Sequence, residues 1–327
     1  MAERKMIECP ICPRGCVLGE GETGNCRIRR NVGGEITLLT YGRPCALHVD
    51  PVEKKPLFHF LPGSRTFSLA TAGCNLHCRN CQNWSISQAT PDKVPAYDLP
   101  PGKVPAAAAK FDCASVAYTY TEPIVYYEYT RDSAAACREA GLKNLMITAG
   151  YINKAPLREL CRHIDAANVD LKAFSDDFYR DVCKASLKPV LDALVVTREE
   201  GVHLEVTNLV IPTLNDDPGS IGKMVRWLVD NLGPNTPLHF SRFHPDYRMK
   251  NLPPTPAATL RDSRKAALDG GLQYVYIGNL RTDDGEDTMC PECGKLLVHR
   301  VGFTVRENVL KDGACPGCGT AVHGVWR

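Results

Sequence analysis

The stretch Thr66-Phe-Ser-Leu-Ala-Thr71-Ala-Gly-Cys74-Asn-Leu-His-Cys78-Arg-Asn-Cys81-Gln-Asn-Trp-Ser-Ile-Ser-Gln88 decides the fold. Its first half, Thr66 to Ala72, reads as a strand. A glycine and three cysteines, with gaps of three and two residues, follow at once. Downstream the same rhythm recurs. Strand-like runs occupy Ser115 to Thr121, Asn144 to Ala149, Asn168 to Lys172, His203 to Ile211, Pro237 to Phe243 and Gln273 to Ile277. Helical stretches lie between most of them, at Ala106 to Phe111, Pro123 to Gly141, Ala155 to Ala167, Asp176 to Gly201, Gly219 to Leu232 and Pro256 to Gly270. Strands alternating with helices predict βα units and a parallel sheet. Six or seven consecutive units favour a barrel or partial barrel over a doubly wound sheet. Chemistry then belongs at the C-terminal ends of the strands, and the Cys74 loop is the first of these.

The surrounding chain predicts three parts: a cysteine-rich extension over residues 1–64, the α/β partial barrel over 65–284, and a ribbon over 285–327. In the extension, Glu35 to Tyr41 reads as a short strand, and glycines and prolines punctuate the chain up to Gly63. The 327 residues carry a formal charge of +2, which excludes a strongly basic nucleic-acid binder or an acidic tail by bulk electrostatics. Met1 to Pro10 lacks the apolar run of a secretory signal. The longest uncharged run, Thr66 to Cys78, is too short for a spanning helix of about 20 residues. A cytoplasmic protein with reduced thiols is expected, so its 16 cysteines point to metal rather than to disulfides.

Eleven of those cysteines cluster, and spacing separates their roles. Cys290-Pro-Glu-Cys293 and Cys315-Pro-Gly-Cys318 read as a zinc ribbon, each pair followed by glycine and joined through strand-like Val298 to Val309. Iron in a rubredoxin-like site, or a knuckle without metal, are the alternatives. Cys9, Cys12, Cys16 and Cys26 suit a second metal, either zinc or an auxiliary [4Fe–4S] cluster. Cys45, Cys113, Cys137, Cys161 and Cys183 stand alone and read as small buried hydrophobes. Three thiolates at Cys74, Cys78 and Cys81 can hold a [4Fe–4S] cluster and leave one iron without a protein ligand.

The segment from Thr71 to Gln88 resembles the CxxxCxxC signature of radical S-adenosylmethionine (SAM) enzymes, in the context of the pyruvate formate-lyase activating enzymes. Asp50-Pro-Val-Glu-Lys-Lys-Pro-Leu-Phe-His-Phe60 and Tyr118-Thr-Tyr-Thr-Glu-Pro123 resemble the radical SAM member of the AmmeMemoRadiSam system. The resemblance runs to about Leu280. It implies a partial barrel of the radical SAM type. It also implies that the free iron is chelated by SAM, and that an electron cleaves SAM to methionine and a 5′-deoxyadenosyl radical.

The same resemblance implies a SAM site. Thr121 and Glu122 fall in the turn where family members carry Gly-Gly-Glu-Pro; the glycines are absent, and whether backbone or the Glu122 side chain makes the contact stays open. Asp170 and Lys172 correspond to the fourth-strand pair facing the methionyl part. Thr207 or Asn208 stands where relatives often carry an arginine, followed by a polar loop at Asn215 and Asp216. His244 corresponds to a ribose-contacting histidine, whereas His239, within the strand, reads as packed. Gly278 and Asn279 place small backbone near adenine. Asn80 occupies the position of an aromatic that packs on adenine, and asparagine offers hydrogen bonds instead.

The leading expectation is therefore an enzyme that abstracts hydrogen from an unidentified substrate, with reduced flavodoxin or ferredoxin as electron donor. Relatives suggest two forms: generation of a glycyl radical on a partner protein, or action with the companion proteins of the AmmeMemoRadiSam system. A non-catalytic iron–sulfur or zinc protein binding nucleic acid through its ribbon is the contrasting class. It draws on local basic patches (Arg27, Arg29 and Arg30; Arg242 to Lys250), but +2 overall supplies little counterion-release affinity. An electron-transfer protein without a SAM pocket is a third.

Overall fold

The computed structural model describes residues 6–327; residues 1–5, part of the stretch read above for a secretory signal, lie outside the described residues. Two short hairpins come first, pairing β1 (Ile7–Glu8) with β2 (Val17–Leu18) and β3 (Arg29–Val32) with β4 (Glu35–Leu38). The chain then builds an eight-stranded sheet. Its strands are β5 (Ala46–Pro51), β6 (Arg65–Ala70), β7 (Ser115–Tyr118), β8 (Lys143–Thr148), β9 (Ala166–Asp170), β10 (His203–Val210), β11 (Leu238–Arg242) and β12 (Val275–Gly278). They lie side by side in chain order. β6 to β12 are parallel, whereas β5 pairs antiparallel with β6 at the edge, Ala46 opposite Ala70 and Pro51 opposite Arg65.

Each parallel strand is buried nearly throughout, as strands covered on both faces must be. Helices such as Tyr127–Glu139, Pro218–Leu232 and Ala257–Asp269 return the chain and lay one apolar stripe on the sheet. Asp217 starts the second of these, its side chain accepting from Ser220 N, with Pro218 at the first helical position. The expected α/β partial barrel is present.

Two local features differ from the sequence reading. β5 was not anticipated, and it carries the first residue of the Asp50–Phe60 motif. The long helix expected over Asp176 to Gly201 is broken. A short helical segment ends at Cys183, Lys184 turns into left-handed backbone at φ +56°, and a new helix runs Lys188–Glu199 with Pro189 in its first turn.

The C-terminal segment forms an antiparallel three-stranded sheet, β13 (Thr288–Met289), β14 (Leu296–Val301) and β15 (Thr304–Asn308). It shares a core with the barrel rather than standing off it: Leu297, Val298 and Val322 pack with Phe58, Tyr274 and Tyr276. Arg300, buried, donates to Phe58 O at 2.6 Å and its guanidinium lies over the Phe58 ring. Val325 N donates to His59 O and Val325 O accepts from Leu61 N, both at 2.7 Å. The barrel floor is polar. The Glu205 carboxylate, fully buried, accepts from the backbone N–H of Phe58 and His59 and pairs with His203 and His239. Among the described residues no helix is long and apolar enough to cross a membrane.

Candidate active site at the barrel mouth

The loops at the C-terminal ends of the strands surround a cavity of about 2070 Å³, its opening to solvent included. The loop after β6 brings Cys74, Cys78 and Cys81 to its wall. Gly73 makes that loop possible. Its φ is +91°, and a Cβ there would lie 2.5 Å from the Cys26 carbonyl oxygen and 2.7 Å from Ile28 Cγ2. The loop is also held from outside. His77 N and Arg79 N donate to the carbonyls of Cys183 and Val182, at the helix break, each at 3.0 Å. Asn75 Nδ2 donates to Tyr151 O, and the His77 ring bridges Gln88 and Asn25.

The three thiols sit in different surroundings. Burial pushes Cys74 up. Cys78 is drawn down, first by its hydrogen bond with the Cys183 thiol and then by the nearby Lys172 ammonium, while Cys183 moves up. Cys81 lies 3.2 Å from the Ser87 hydroxyl. Cys183 thus touches the cluster loop although its isolation in the sequence reads as packing. A lone cysteine carries no spacing signal, so only the fold reveals it.

Seven of the nine residues expected at the SAM site line the cavity: Asn80, Thr121, Glu122, Asp170, Lys172, Gly278 and Asn279. The other two do not. Asn208 faces away from it, its Nδ2 donating to Leu171 O at 2.7 Å, because alternate residues of β10 point to opposite faces and Thr207 and Leu209 take the cavity side. His244 is exposed on the loop beyond β11, and Ser241 and His239 line the cavity instead. His239 is also packed, between Phe58 and Tyr276, with its Nε2 on Glu205 at 2.6 Å.

The turn after β7 answers how a chain lacking the glycines makes it. Tyr120 adopts left-handed backbone at φ +61°, which is uncommon for a bulky residue. Two anchors from the Asp50–Phe60 segment hold it: its hydroxyl donates to Asp50 and the Lys55 ammonium sits 4.3 Å from its ring centroid. Lys55 is buried and pairs with Asp50 at 2.7 Å. The motifs at 50–60 and 118–123, far apart in sequence, therefore form one structure. Glu122 is occupied as well. Its carboxylate accepts from the Thr148 hydroxyl and from Ala149 N at 2.8 Å, bracing the end of β7 to that of β8. Burial pushes it up to about 7.

Across the cavity Lys172 pairs with Asp170 at 2.9 Å, and Asp170 beside it keeps the ammonium charged against burial. Asn215 ties this rim together, donating to Lys172 O and Leu209 O and accepting from Ile211 N. Asp216 caps the adjacent turn through Thr213 N. Three buried oxygens of lining residues, Glu53 Oε2, Asn80 Oδ1 and Thr207 Oγ1, have no hydrogen-bond partner. Such orphans are expensive unless a bound molecule completes them, so the lining fits a polar cofactor that brings donors and acceptors. The ribbon supplies part of the outer wall through Glu286 and Phe303, the latter at the β14–β15 turn.

The ribbon cysteines Cys290, Cys293, Cys315 and Cys318 converge, all four sulfurs lying within 4.8 Å of one another. Cys290 to Cys318 is 3.5 Å and Cys293 to Cys315 is 3.7 Å. One tetrahedral ion with 2.3 Å bonds to sulfur needs spacings of about 3.8 Å. The glycines after each pair have φ of +69° at Gly294 and +79° at Gly319, and their N–H groups close the knuckle turns onto Cys290 O and Cys315 O.

The family model described as the Radical SAM superfamily matches residues 68–225. An uncharacterized protein of Methanocaldococcus jannaschii is 47% identical over 300 residues, which is 92% of this chain and 89% of that one. The pyruvate formate-lyase-activating enzyme of Clostridium pasteurianum is 27% identical over 168 residues, 50% of this chain and 68% of its own. Among solved structures, a radical SAM methyltransferase from Sphaerobacter thermophilus superposes with a TM-score of 0.53 at 15% identity, covering 72% of this chain and 71% of that one. SuiB of Streptococcus suis, solved bound to S-adenosylmethionine, gives 0.52 at 14%, covering 70% and 53%. At such identities the structural matches speak to the fold.

Proposed function

The chain belongs to the radical SAM superfamily and is related to the pyruvate formate-lyase activating enzymes, and from that premise we propose that it is an enzyme using a [4Fe–4S] cluster at Cys74, Cys78 and Cys81. The observation that carries the reading is the placement of these thiols on the wall of a strand-end cavity that unpartnered Asn80 Oδ1 and Thr207 Oγ1 also line. Such a cluster with SAM supplies, on one-electron reduction, methionine and a 5′-deoxyadenosyl radical able to take hydrogen from a substrate.

The chain's own residues do the rest. Lys172 and Asp170 present a paired cation and anion for the carboxylate and amino group of the methionyl part. The Thr119–Glu122 turn offers backbone, since the Glu122 carboxylate is committed to Thr148 and Ala149. Asn80, Gly278 and Asn279 border the nucleoside side. Of Thr207 and Asn208, Thr207 borders the site, and Ser241 takes the place expected for His244. Zinc in the ribbon shapes the outer wall.

We read the chain as residues 1–64, 65–284 and 285–327, with reduced flavodoxin or ferredoxin as donor. Kinship with the AmmeMemoRadiSam system rests on the meeting of its two motifs at Tyr120 and Asp50, and favours action with companion proteins. Activation of a glycyl-radical partner is the second reading, favoured by the relationship to the Clostridium pasteurianum protein. The test is anaerobic reconstitution with iron, sulfide, SAM and dithionite. The wild type should release 5′-deoxyadenosine and Cys78→Ala should not; a wild type with a full iron complement that releases none overturns the proposal.

A further inference from the structure

The N-terminal cysteines lie outside the barrel mouth, and the activity proposed above uses none of them. Cys9, Cys12 and Cys16 sit in the loop that joins β1 to β2, where Cys9 N donates to Cys16 O at 2.9 Å. Cys26 comes from a second turn, closed by Gly24 N on Arg29 O at 2.8 Å. The two turns face each other, and all four cysteines line one cavity of about 350 Å³, partly open to solvent. Four thiols around a common space is the ligand set of a metal centre.

Spacing distinguishes the kind of centre. In the ribbon the four sulfurs lie within 4.8 Å of one another, as a single ion requires. Among the described residues no three of the sulfurs of Cys9, Cys12, Cys16 and Cys26 meet that limit; they stand around the cavity instead. The same holds for Cys74, Cys78 and Cys81. A cluster separates its ligands because each thiolate binds its own iron or shares one with a single other thiolate, with sulfide between. A second observation points to an anion. Arg29, 4% exposed, lines this cavity, and its Nε is buried with no hydrogen-bond partner, although its two terminal nitrogens are held by Glu128 at 2.6 and 2.7 Å. A cluster with four thiolate ligands is negatively charged, and a buried guanidinium beside it offsets that charge.

We propose that Cys9, Cys12, Cys16 and Cys26 hold a second iron–sulfur cluster rather than zinc. Its protein shell touches the first site directly. The Cys26 carbonyl packs on Gly73, Asn25 holds the His77 ring, and Arg14 Nε donates to Asn75 O at 3.0 Å. Loading the N-terminal site therefore fixes the backbone against which the Cys74 loop is built.

The experiment uses the full chain with Cys74, Cys78 and Cys81 all changed to Ala, purified without oxygen and assayed for iron, acid-labile sulfide and zinc. This variant reports on the N-terminal site whether or not the barrel cleaves SAM. Iron and sulfide retained in equal amounts, and lost when Cys12→Ala and Cys16→Ala are added, is the result expected. A second zinc per chain beyond the one assigned to the ribbon, in place of sulfide, or neither iron nor sulfide, overturns the proposal. Should the five-fold variant precipitate, the wild type decides. Reduced wild type should show two electron paramagnetic resonance signals, of which SAM shifts one; a single signal that SAM shifts entirely overturns it.

Discussion

Asp50→Asn probes the joint between the two motifs. In the native protein the Asp50 carboxylate accepts from Lys54, Lys55 and Tyr120, and Lys55 is buried beside it. Burial pushes Lys55 down to about 8 despite Asp50. Removing the carboxylate leaves a buried ammonium without its counter-charge, and the lysine escapes by shedding its proton. That escape keeps the ionic penalty below about 1 kcal/mol at pH 8 and lets it grow by roughly 1 kcal/mol for each pH unit below that. A pH-independent loss of roughly 1 kcal/mol for weakened hydrogen bonds adds to it at every pH. The sign follows from proton counts. Below pH 8 native wild type carries the ammonium, the native variant does not, and both unfolded chains do, to about 10.4. The variant's unfolded state binds the extra proton, so its stability climbs with pH relative to wild type. Urea denaturation of the anaerobic protein at pH 6, 7 and 8 measures this. The double variant Asp50→Asn with Lys55→Met removes both buried charges and should lose the slope. An equal penalty at all three pH values, or a slope that survives in the double variant, refutes the reasoning. Both anchors of the Tyr120 left-handed turn, a conformation costing of order 1 kcal/mol or more, also weaken, the ammonium over the ring and the carboxylate at the hydroxyl, so SAM should bind more weakly.

Glu122 predicts the same trend from the other side: here it is the wild type that loses stability as pH rises. Its native value of about 7 lies above that of the unfolded chain, so its contribution is fully present below about pH 4.5 and is lost as pH rises through 7. Relative to wild type, Glu122→Gln should gain about 3 kcal/mol between those limits, read from paired urea titrations. Gly73→Ala forces a Cβ into the Cys26 carbonyl and Ile28; a loss of at least about 2 kcal/mol and poor iron incorporation at Cys74, Cys78 and Cys81 are expected from iron analysis and melting curves. Cys290→Ser should lower zinc by one per chain and speed proteolysis after residue 285 while leaving the barrel's circular dichroism intact.

The parallel strands were legible because each is a buried apolar run between helix-period segments, and the ribbon because its cysteine spacing is short-range. What escaped was long-range or locally contradictory. Ala46-Leu-His-Val-Asp-Pro51 is only partly buried, as an edge strand is, so it lacks the apolar run of the others, and its antiparallel pairing is not a βα repeat. Cys183 gains meaning only when Lys184 ends a helix and turns it toward Cys78. Of Thr207 and Asn208 it is Thr207 that faces the cavity, a choice the resemblance left open because one residue on a strand selects the face and family resemblance does not fix register that finely. Lys55 stood inside a quoted motif without a role, because nothing local says that its ammonium meets Tyr120. Phe303 reaches the cavity only through tertiary packing of the ribbon.

The floor of the barrel joins His59 to His323 across 264 positions, and Leu61 to Val325. That separation has a consequence for biosynthesis. A ribosome adding about 5–20 residues per second takes roughly 13–50 s to pass from one partner to the other. During that interval strands β6 to β12 are made while Phe58 waits uncovered, Tyr274 and Tyr276 join it only near the end, and the cysteines of two clusters precede the ribbon that closes the floor. Iron delivery and chaperone protection thus compete for the same half-built chain, and slowed translation ahead of residue 323 should lengthen its exposure to both.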